Sequence, residues 1–394
     1  MITVIGLDGS PLSALAEQRL AAASLVMGGR RHLRETALPE GVPTVALRDD
    51  PAEALRRVLD ADGDAVVLAS GDPGLFGVLR LLRERLPAAD VEVLPAVSSV
   101  SLAFARAGMS WDDALVVSAH GRDLRPAVAA CRAHPKVAVL TAQGAGPAEL
   151  AAALVGTGRR LFVGERLGLV GERTTWTTPE TCTGDWDRLN VVLVVDDTRS
   201  VAADKGWLAG RGGPSSWALP DDAFVHRDGM LTKAEVRAVA LARLGPRLGD
   251  LVWDVGAGSG SVGVECARLG ASVIAVEKAD TSFVEANAKA FGVDVQVVAG
   301  AAPAALQGLP DPDVVFVGGG GRDVEQIVRD CVARGPRTVV VALAALDRLA
   351  GVRAALAPYA GDGVLLPANR LRELAGATAL AATTPVLLVW GNRP

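Results

Sequence analysis

The chain has 394 residues, half of them hydrophobic, and a formal net charge of −5. That length holds about two or three domains, and the negative balance argues against nonspecific nucleic-acid binding, which needs a basic face. No apolar run reaches the roughly 20 residues that span a bilayer, so no membrane partner is expected. The opening MITVIGLDGS has no positively charged leader region and reads as a first strand, not as a signal peptide. Cys131, Cys182, Cys266 and Cys331 and four scattered histidines match no metal-ligand spacing, so no metal is expected. The cysteines read as reduced, buried small residues of a cytoplasmic protein.

Short Val/Leu/Ile runs alternate along the chain with longer amphipathic, Ala/Leu/Arg-rich segments. That alternation predicts an α/β fold with largely parallel sheets. In the first half, strands are predicted over residues 2–6, 65–69, 91–94, 114–118, 137–140, 161–164 and 190–195. Residues 200–220 break the pattern, with Gly206, Gly210, Gly212 and a turn-like Gly213-Pro214, and read as a linker. A helix is predicted over 232–244. Strands follow over 251–255, 272–277, 295–299, 314–317, 338–343 and 385–390, as in a doubly wound sheet. No repeat relates the halves, so the chain reads as a fusion of two unlike domains, 1–199 and 219–394, joined by 200–218.

LVWDVGAGSG, residues 251–260, runs an apolar strand into Gly256, Gly258 and Gly260, and the next strand, SVIAVE, ends on Glu277. Glycines there let the backbone approach a ligand with no Cβ in the way, and a strand-end acid can hold two ribose hydroxyls. This predicts an adenosine-containing cofactor. Asp254 would oppose a pyrophosphate but suits a cationic ligand, which favours S-adenosylmethionine over a dinucleotide. Two more loops follow strands, at 300–303 and in VVFVGGGG at 318–321. In such folds the carboxyl ends of the strands face one crevice.

Together with DDAFVHRDGMLTKAEVRAVAL, residues 221–241, these stretches resemble the C15 methyltransferase-decarboxylase family of cobalamin biosynthesis. The resemblance covers about residues 219–394 and implies a Rossmann-like methyltransferase fold. By it, Thr232, the loop Gly256, Ala257, Gly258, Ser259 and Gly260, and Ala301 and Ala302 line the S-adenosylmethionine site, and Glu277 holds the ribose. Ala301 stands where the family has an acidic residue. Thr384, and the strand near Ala344, stand where it often has Asn.

In the first half, LASGDPGLFG at 68–77, LPAVSSVSLAFARAG at 94–108 and VVSAHGRD at 116–123 each end a strand. A hydroxyl at such a strand-to-helix transition caps the helix or binds a ligand. With MGGRRHL at 27–33, the set resembles the tetrapyrrole methylase family, most closely its C5-methylating members. The resemblance covers about residues 1–195 and implies a two-subdomain α/β fold. By it, Ser70, Gly71, Asp72, Leu75, Ser98 and Ser99 bind a second S-adenosylmethionine. VIGLDGSP departs from the family's Gly-x-Gly-Pro-Gly loop, with Leu7 and Asp8 where a small residue and Pro are common.

The two resemblances together imply methylation of precorrin-6B at C5 and C15, with decarboxylation of the ring-C acetate, to give precorrin-8. They also imply a homo-oligomer with two cofactor sites per chain. A corrin precursor carries many carboxylates, and a guanidinium binds a carboxylate bidentately. Arg30, Arg31, His32, His120 and Arg122 are therefore the candidate substrate residues, with Arg106 weighed beside them. His226 and Lys233 are the candidates for handling protons or carboxylates in the second half. Two other readings stay open. A nucleic-acid methyltransferase would carry an Asn/Asp-Pro-Pro-aromatic motif where this chain has FVGGGG. The first half could instead be a degenerate module that only holds substrate, and the number of cofactors bound per chain separates that reading from the two-site one.

Overall fold

The computed structural model of the chain describes residues 1–47, 51–85, 90–199, 214, 216–227, 231–374 and 376–394. Most of the expected linker lies outside the described residues. Two compact units emerge: residues 1–122 with 138–195, and residues 123–137 with 196–394.

The first unit carries two five-stranded sheets. One is built from β1 (Ile2–Leu7), β2 (Leu25–Gly28), β3 (Thr44–Ala46), β4 (Ala65–Ser70) and β5 (Val91–Leu94) in the order β3-β2-β4-β1-β5. All its pairs are parallel. The core strands read as unbroken apolar runs, as both faces of a parallel sheet must be covered. Leu25, Met27 and Val67 pack one face, and Ile5, Val26 and Leu68 the other. The helices α1 (Ala14–Ala21), α2 (Arg30–Glu35), α3 (Pro51–Leu59) and α4 (Val78–Arg85) connect these strands. Then α5 (Ser99–Ala107) leads to the second sheet.

That sheet holds β6 (Leu115–Ser118), β7 (Lys136–Leu140), β8 (Arg160–Glu165), β9 (Arg173–Thr177) and β10 (Asn190–Val195) in the order β6-β7-β10-β8-β9. Here the expectation of largely parallel pairing fails, because β8 runs antiparallel to both β10 and β9. The chain passes from β8 to β9 through a short connection, too short for the crossover that a parallel pair needs. The helices α6 (Arg125–Ala133) and α7 (Pro147–Leu154) lie between β6 and β8 in sequence.

The second unit is organised by one seven-stranded sheet. After α8 (Ala234–Leu244) come β11 (Leu251–Val255), α9 (Ser261–Arg268), β12 (Ser272–Glu277), α10 (Ser282–Ala290), β13 (Gln296–Ala299), β14 (Val314–Val317), α11 (Val324–Ala333), β15 (Thr338–Leu343) and α12 (Leu349–Ala355). The chain closes with β16 (Ala360–Leu366), β17 (Asn369–Leu374), β18 (Ala377–Ala382) and β19 (Val386–Asn392). The order is β13-β12-β11-β14-β15-β19-β16, parallel through β15, with β19 antiparallel to β15 and β16. Strand order reverses at β11, which pairs with both β12 and β14. A ligand crevice opens beyond the carboxyl ends of the strands at such a switch point. Apolar side chains fill both faces, Trp253, Ile274 and Val341 on one and Val252, Phe316 and Leu388 on the other.

Candidate cofactor and substrate sites

In the second unit the chain leaves β11 directly into the glycine loop. Gly256, Gly258 and Gly260 all take positive φ, at 72°, 56° and 72°, where a Cβ is strained. A Cβ on Gly256 would also lie 2.9 Å from the Gly319 Cα, and one on Gly260 2.8 Å from the Val284 side chain. These two glycines therefore let the loop pack against the loop after β14 and against α10.

Glu277, at the end of β12, fixes the loop from the other side. Its carboxylate accepts the Gly258 N–H at 2.8 Å and the Ala279 N–H at 2.8 Å. Its carbonyl accepts the Gly300 N–H at 2.9 Å, which brings in the loop after β13. Ala301 is exposed and Ala302 half-buried on that third loop. Four lone-pair directions on a carboxylate leave Glu277 able to accept further hydrogen bonds.

Asp254 lies wholly beneath this loop. One carboxylate oxygen accepts the Gly263 N–H of α9 at 2.8 Å, while the other has no hydrogen-bond partner among the described residues. Burial drives its pKa up to about 7; the Gly263 N–H opposes that rise, and the Glu277 charge adds to it. The Ser259 hydroxyl, also buried, likewise lacks a partner among the described residues. A buried acceptor and a buried hydroxyl left open beside a glycine cradle fit a cationic adenosine cofactor. The negative charge sits in the second layer beneath the loop, not on its open face.

The segment before α8 is held from below. Arg237, fully buried, donates to Glu265 at 3.3 Å and to the Thr232 carbonyl at 2.5 Å. Glu265 also accepts the Ala218 and Leu219 N–H groups at 3.2 and 2.8 Å. Thr232 thus contributes a backbone anchor. Lys233 stands at the N-cap position of α8 without a side-chain cap hydrogen bond, its ammonium 3.7 Å from Asp221. His226 is half-buried two residues beyond the buried Phe224.

In the first unit four strand ends converge. Gly71 N–H donates to the Leu7 carbonyl at 2.7 Å. A Cβ on Gly6 would stand 2.2 Å from the Gly71 carbonyl oxygen and 2.5 Å from the Ala96 nitrogen. The Asp8 carboxylate accepts the Ser10 N–H at 3.0 Å, the Ser10 hydroxyl and the Val97 N–H at 3.1 Å. Burial works to raise its pKa, and these hydrogen bonds overcome that and hold it below the usual carboxylate value. The departure from the family's loop therefore has a structural use: the acid pins VIGLDGSP to the loop after β5.

Ser70 sits beside Arg31 and His32. Its hydroxyl is 3.0 Å from His32 Nε2, and the Arg31 guanidinium lies 3.3 Å from that hydroxyl and 3.0 Å from Nε2. Burial and the Arg31 charge push the His32 pKa down, which leaves a neutral ring at neutral pH. Asp72 folds back on its own turn, accepting the Gly74 N–H at 2.7 Å. Ser98 caps α5, taking the Ser101 N–H at 3.0 Å, and Ser99 opens that helix. Leu75 packs against the core around Phe104.

A cavity of about 950 Å³ opens here, lined by Leu7, Ser10, Arg31, His32, Arg166 and Leu169 among others. Arg31 and His32 thus reach one cavity, whereas Arg30, His120 and Arg122 are exposed and are not among its lining residues. Arg106 is paired with Glu172 at 2.5 Å. Arg166 is a cavity residue that sequence reasoning missed. It is a non-glycine residue at φ 51°, strain of a kind that clusters at functional sites, and no motif flags it.

Residues 3–182 match the family described as tetrapyrrole (corrin/porphyrin) methylases, and residues 222–392 match the precorrin methyltransferase domain. Over 367 residues the chain is 40% identical to the precorrin-6Y C(5,15)-methyltransferase [decarboxylating] of Sinorhizobium sp, covering 87% of this chain and 84% of that protein. The chain belongs to the precorrin-6Y C5,15-methyltransferase (decarboxylating) family. Each half also has a free-standing relative. The first is 32% identical to the cobalt-precorrin-7 C(5)-methyltransferase of Salmonella typhimurium, over 50% of this chain and 100% of that protein. The second is 35% identical to a probable cobalt-precorrin-6B C(15)-methyltransferase (decarboxylating) of Pyrobaculum aerophilum, over 43% of this chain and 93% of that protein. The fold class and the enzyme class expected from the sequence both stand.

Proposed function

We propose that this chain methylates precorrin-6B at C5 and C15 and removes the carboxyl group of the ring-C acetate, giving precorrin-8, with one S-adenosylmethionine site in each half. The observation that carries the reading is the 256–260 loop, clamped by Glu277 over a buried Asp254 with an open oxygen. S-adenosylmethionine supplies a methyl group on a cationic sulfur. Glu277 is placed to accept from ribose hydroxyls, and Asp254 and the Ser259 hydroxyl set the field beneath the cationic part. Thr232, Ala301 and Ala302 border the same site.

In the first half, Ser70, Gly71, Asp72, Leu75, Ser98 and Ser99 form the second cofactor site. Arg31 and Arg166 complement substrate carboxylates in the cavity, with neutral His32 holding the Arg31 guanidinium through Nε2. Arg30, His120 and Arg122 belong to the outer contacts of the same substrate. In the second half, His226 and Lys233 hold a proton or a carboxylate during decarboxylation. Orientation of a reactive carbon against a methyl donor supplies much of the rate, so no covalent nucleophile is invoked.

The domains are 1–199 and 219–394, joined by 200–218. The reaction is placed in the cytoplasm, which the four buried, unbridged cysteines support; among the described residues no helix is long and apolar enough to cross a membrane. Self-association belongs to the same reading, supported by exposed Leu371, Leu374 and Leu380 on β17 and β18. Calorimetric titration with S-adenosylhomocysteine tests the cofactor count. A stoichiometry near two supports the reading, and a clean value of one removes the first-half site.

A further inference from the structure

Asn287 lies on α10 and is 1% exposed. Every polar valence it uses goes to backbone. Its Oδ1 accepts the Val225 N–H at 2.8 Å, and its Nδ2 donates to the Val225 carbonyl at 2.8 Å and to the Ser259 carbonyl at 2.8 Å. The amide therefore grips one residue of the segment before α8 as a strand partner would, and with its remaining hydrogen it holds the glycine loop. Ser259 follows Gly258, whose N–H is fixed by Glu277. Val225 precedes His226. The Val225 side chain is 56% exposed, so packing of that side chain does not hold this part of the segment. The neighbouring Phe224 seats on Phe291, with ring centroids 5.1 Å apart, one turn of α10 beyond the amide.

We infer that Asn287 is a positioning residue for the decarboxylating methylation: it sets His226 and its segment in register with the cofactor loop through Ser259. This rests on the reading that the 256–260 loop holds the methyl donor. An aspartate here has nearly the same volume but donates no hydrogen bond, so it would lose both the Ser259 and the Val225 carbonyl contacts and face them with charge. The loop itself stays clamped by Glu277, so binding of the donor and turnover are expected to part company.

The test uses the full chain with Asn287→Ala and Asn287→Asp. Expected for both are at least a tenfold fall in kcat for C15 methylation, less than a threefold change in KM for S-adenosylmethionine, and unchanged C5 methylation of separately supplied precorrin-7. Amide exchange over residues 219–227 of the unliganded protein is expected to quicken at least tenfold, a readout that needs no cofactor. Where either variant is recovered unfolded, Val225→Pro removes the donor that Asn287 accepts without disturbing the core, and the same kcat fall is expected. A kcat within twofold of wild type in Asn287→Asp or Val225→Pro, or unchanged exchange over 219–227, overturns the inference. Gly258→Val run alongside addresses the loop reading separately: normal C15 methylation there defeats that reading, whatever Asn287 does.

Discussion

The carboxylate of Glu277, at the end of β12, accepts the Gly258 N–H of the loop after β11 at 2.8 Å. The residue expected from sequence to hold ribose also shapes the loop that would receive the rest of the cofactor. Glu277→Gln replaces one acceptor oxygen by an NH2 group, which cannot accept from an N–H. Leaving such a donor unmet costs about 1–3 kcal/mol. Cofactor affinity in the second half is expected to fall about tenfold to a hundredfold, with first-half binding unchanged, as read by titration of a variant blocked at the first site.

Gly258 is held at φ 56°. Gly258→Val adds a β-branched side chain in that conformation, at the face the cofactor must approach, and overpacking costs about 1–3 kcal/mol or more. The product is expected to lack the C15 methyl, while C5 methylation of separately supplied precorrin-7 is retained. Mass spectrometry of the product reads both.

Gly6 shows the same logic with a purely structural outcome. Its absent Cβ leaves room for the Gly71 carbonyl oxygen, which would otherwise lie at 2.2 Å. Gly6→Ala is expected to destabilise the first unit by about 2 kcal/mol or more and to abolish C5 methylation, with the C15 reaction preserved. Thermal unfolding followed together with both activities checks it.

Asp254 predicts a pH dependence of defined sign. Its folded pKa of about 7 lies above the ordinary 3.8, so between those values the folded state keeps a proton that the unfolded state has lost. Stability contributed by this group is present below the lower value and falls as pH rises through the upper one. Asp254→Asn removes that slope, so the variant gains on wild type in melting temperature from about pH 5 to about pH 8. Ionised Asp254 also favours the cationic donor over neutral S-adenosylhomocysteine. The ratio of the two affinities is expected to rise across about pH 7 in wild type and to stay flat in the variant.

Much of this was legible before the structure. Long apolar runs such as 251–255 and 272–277 gave their strands to the residue, because buried parallel strands admit few polar positions. Strands β2 and β3 have only four and three residues, too few for a period to show. In β9, β17 and β18 most side chains face solvent, and Thr/Arg-, Arg/Leu- and Ala-rich runs such as these give no buried apolar face to read. Glu277 and the glycines could be read because a motif fixes their spacing. Arg166 and Asn287 could not: one owes its place to a strained turn after β8, the other to hydrogen bonds with residues 62 and 28 positions away.

The most direct test of the central claim is the mass of the product, with carbon dioxide release, after the purified full chain is incubated with precorrin-6B and S-adenosylmethionine. The account predicts a gain of two methyl groups with loss of one carboxyl group, and in Gly258→Val no C15 methyl gained and no carbon dioxide released. A wild-type product with one methyl, or decarboxylation that survives in Gly258→Val, would contradict it.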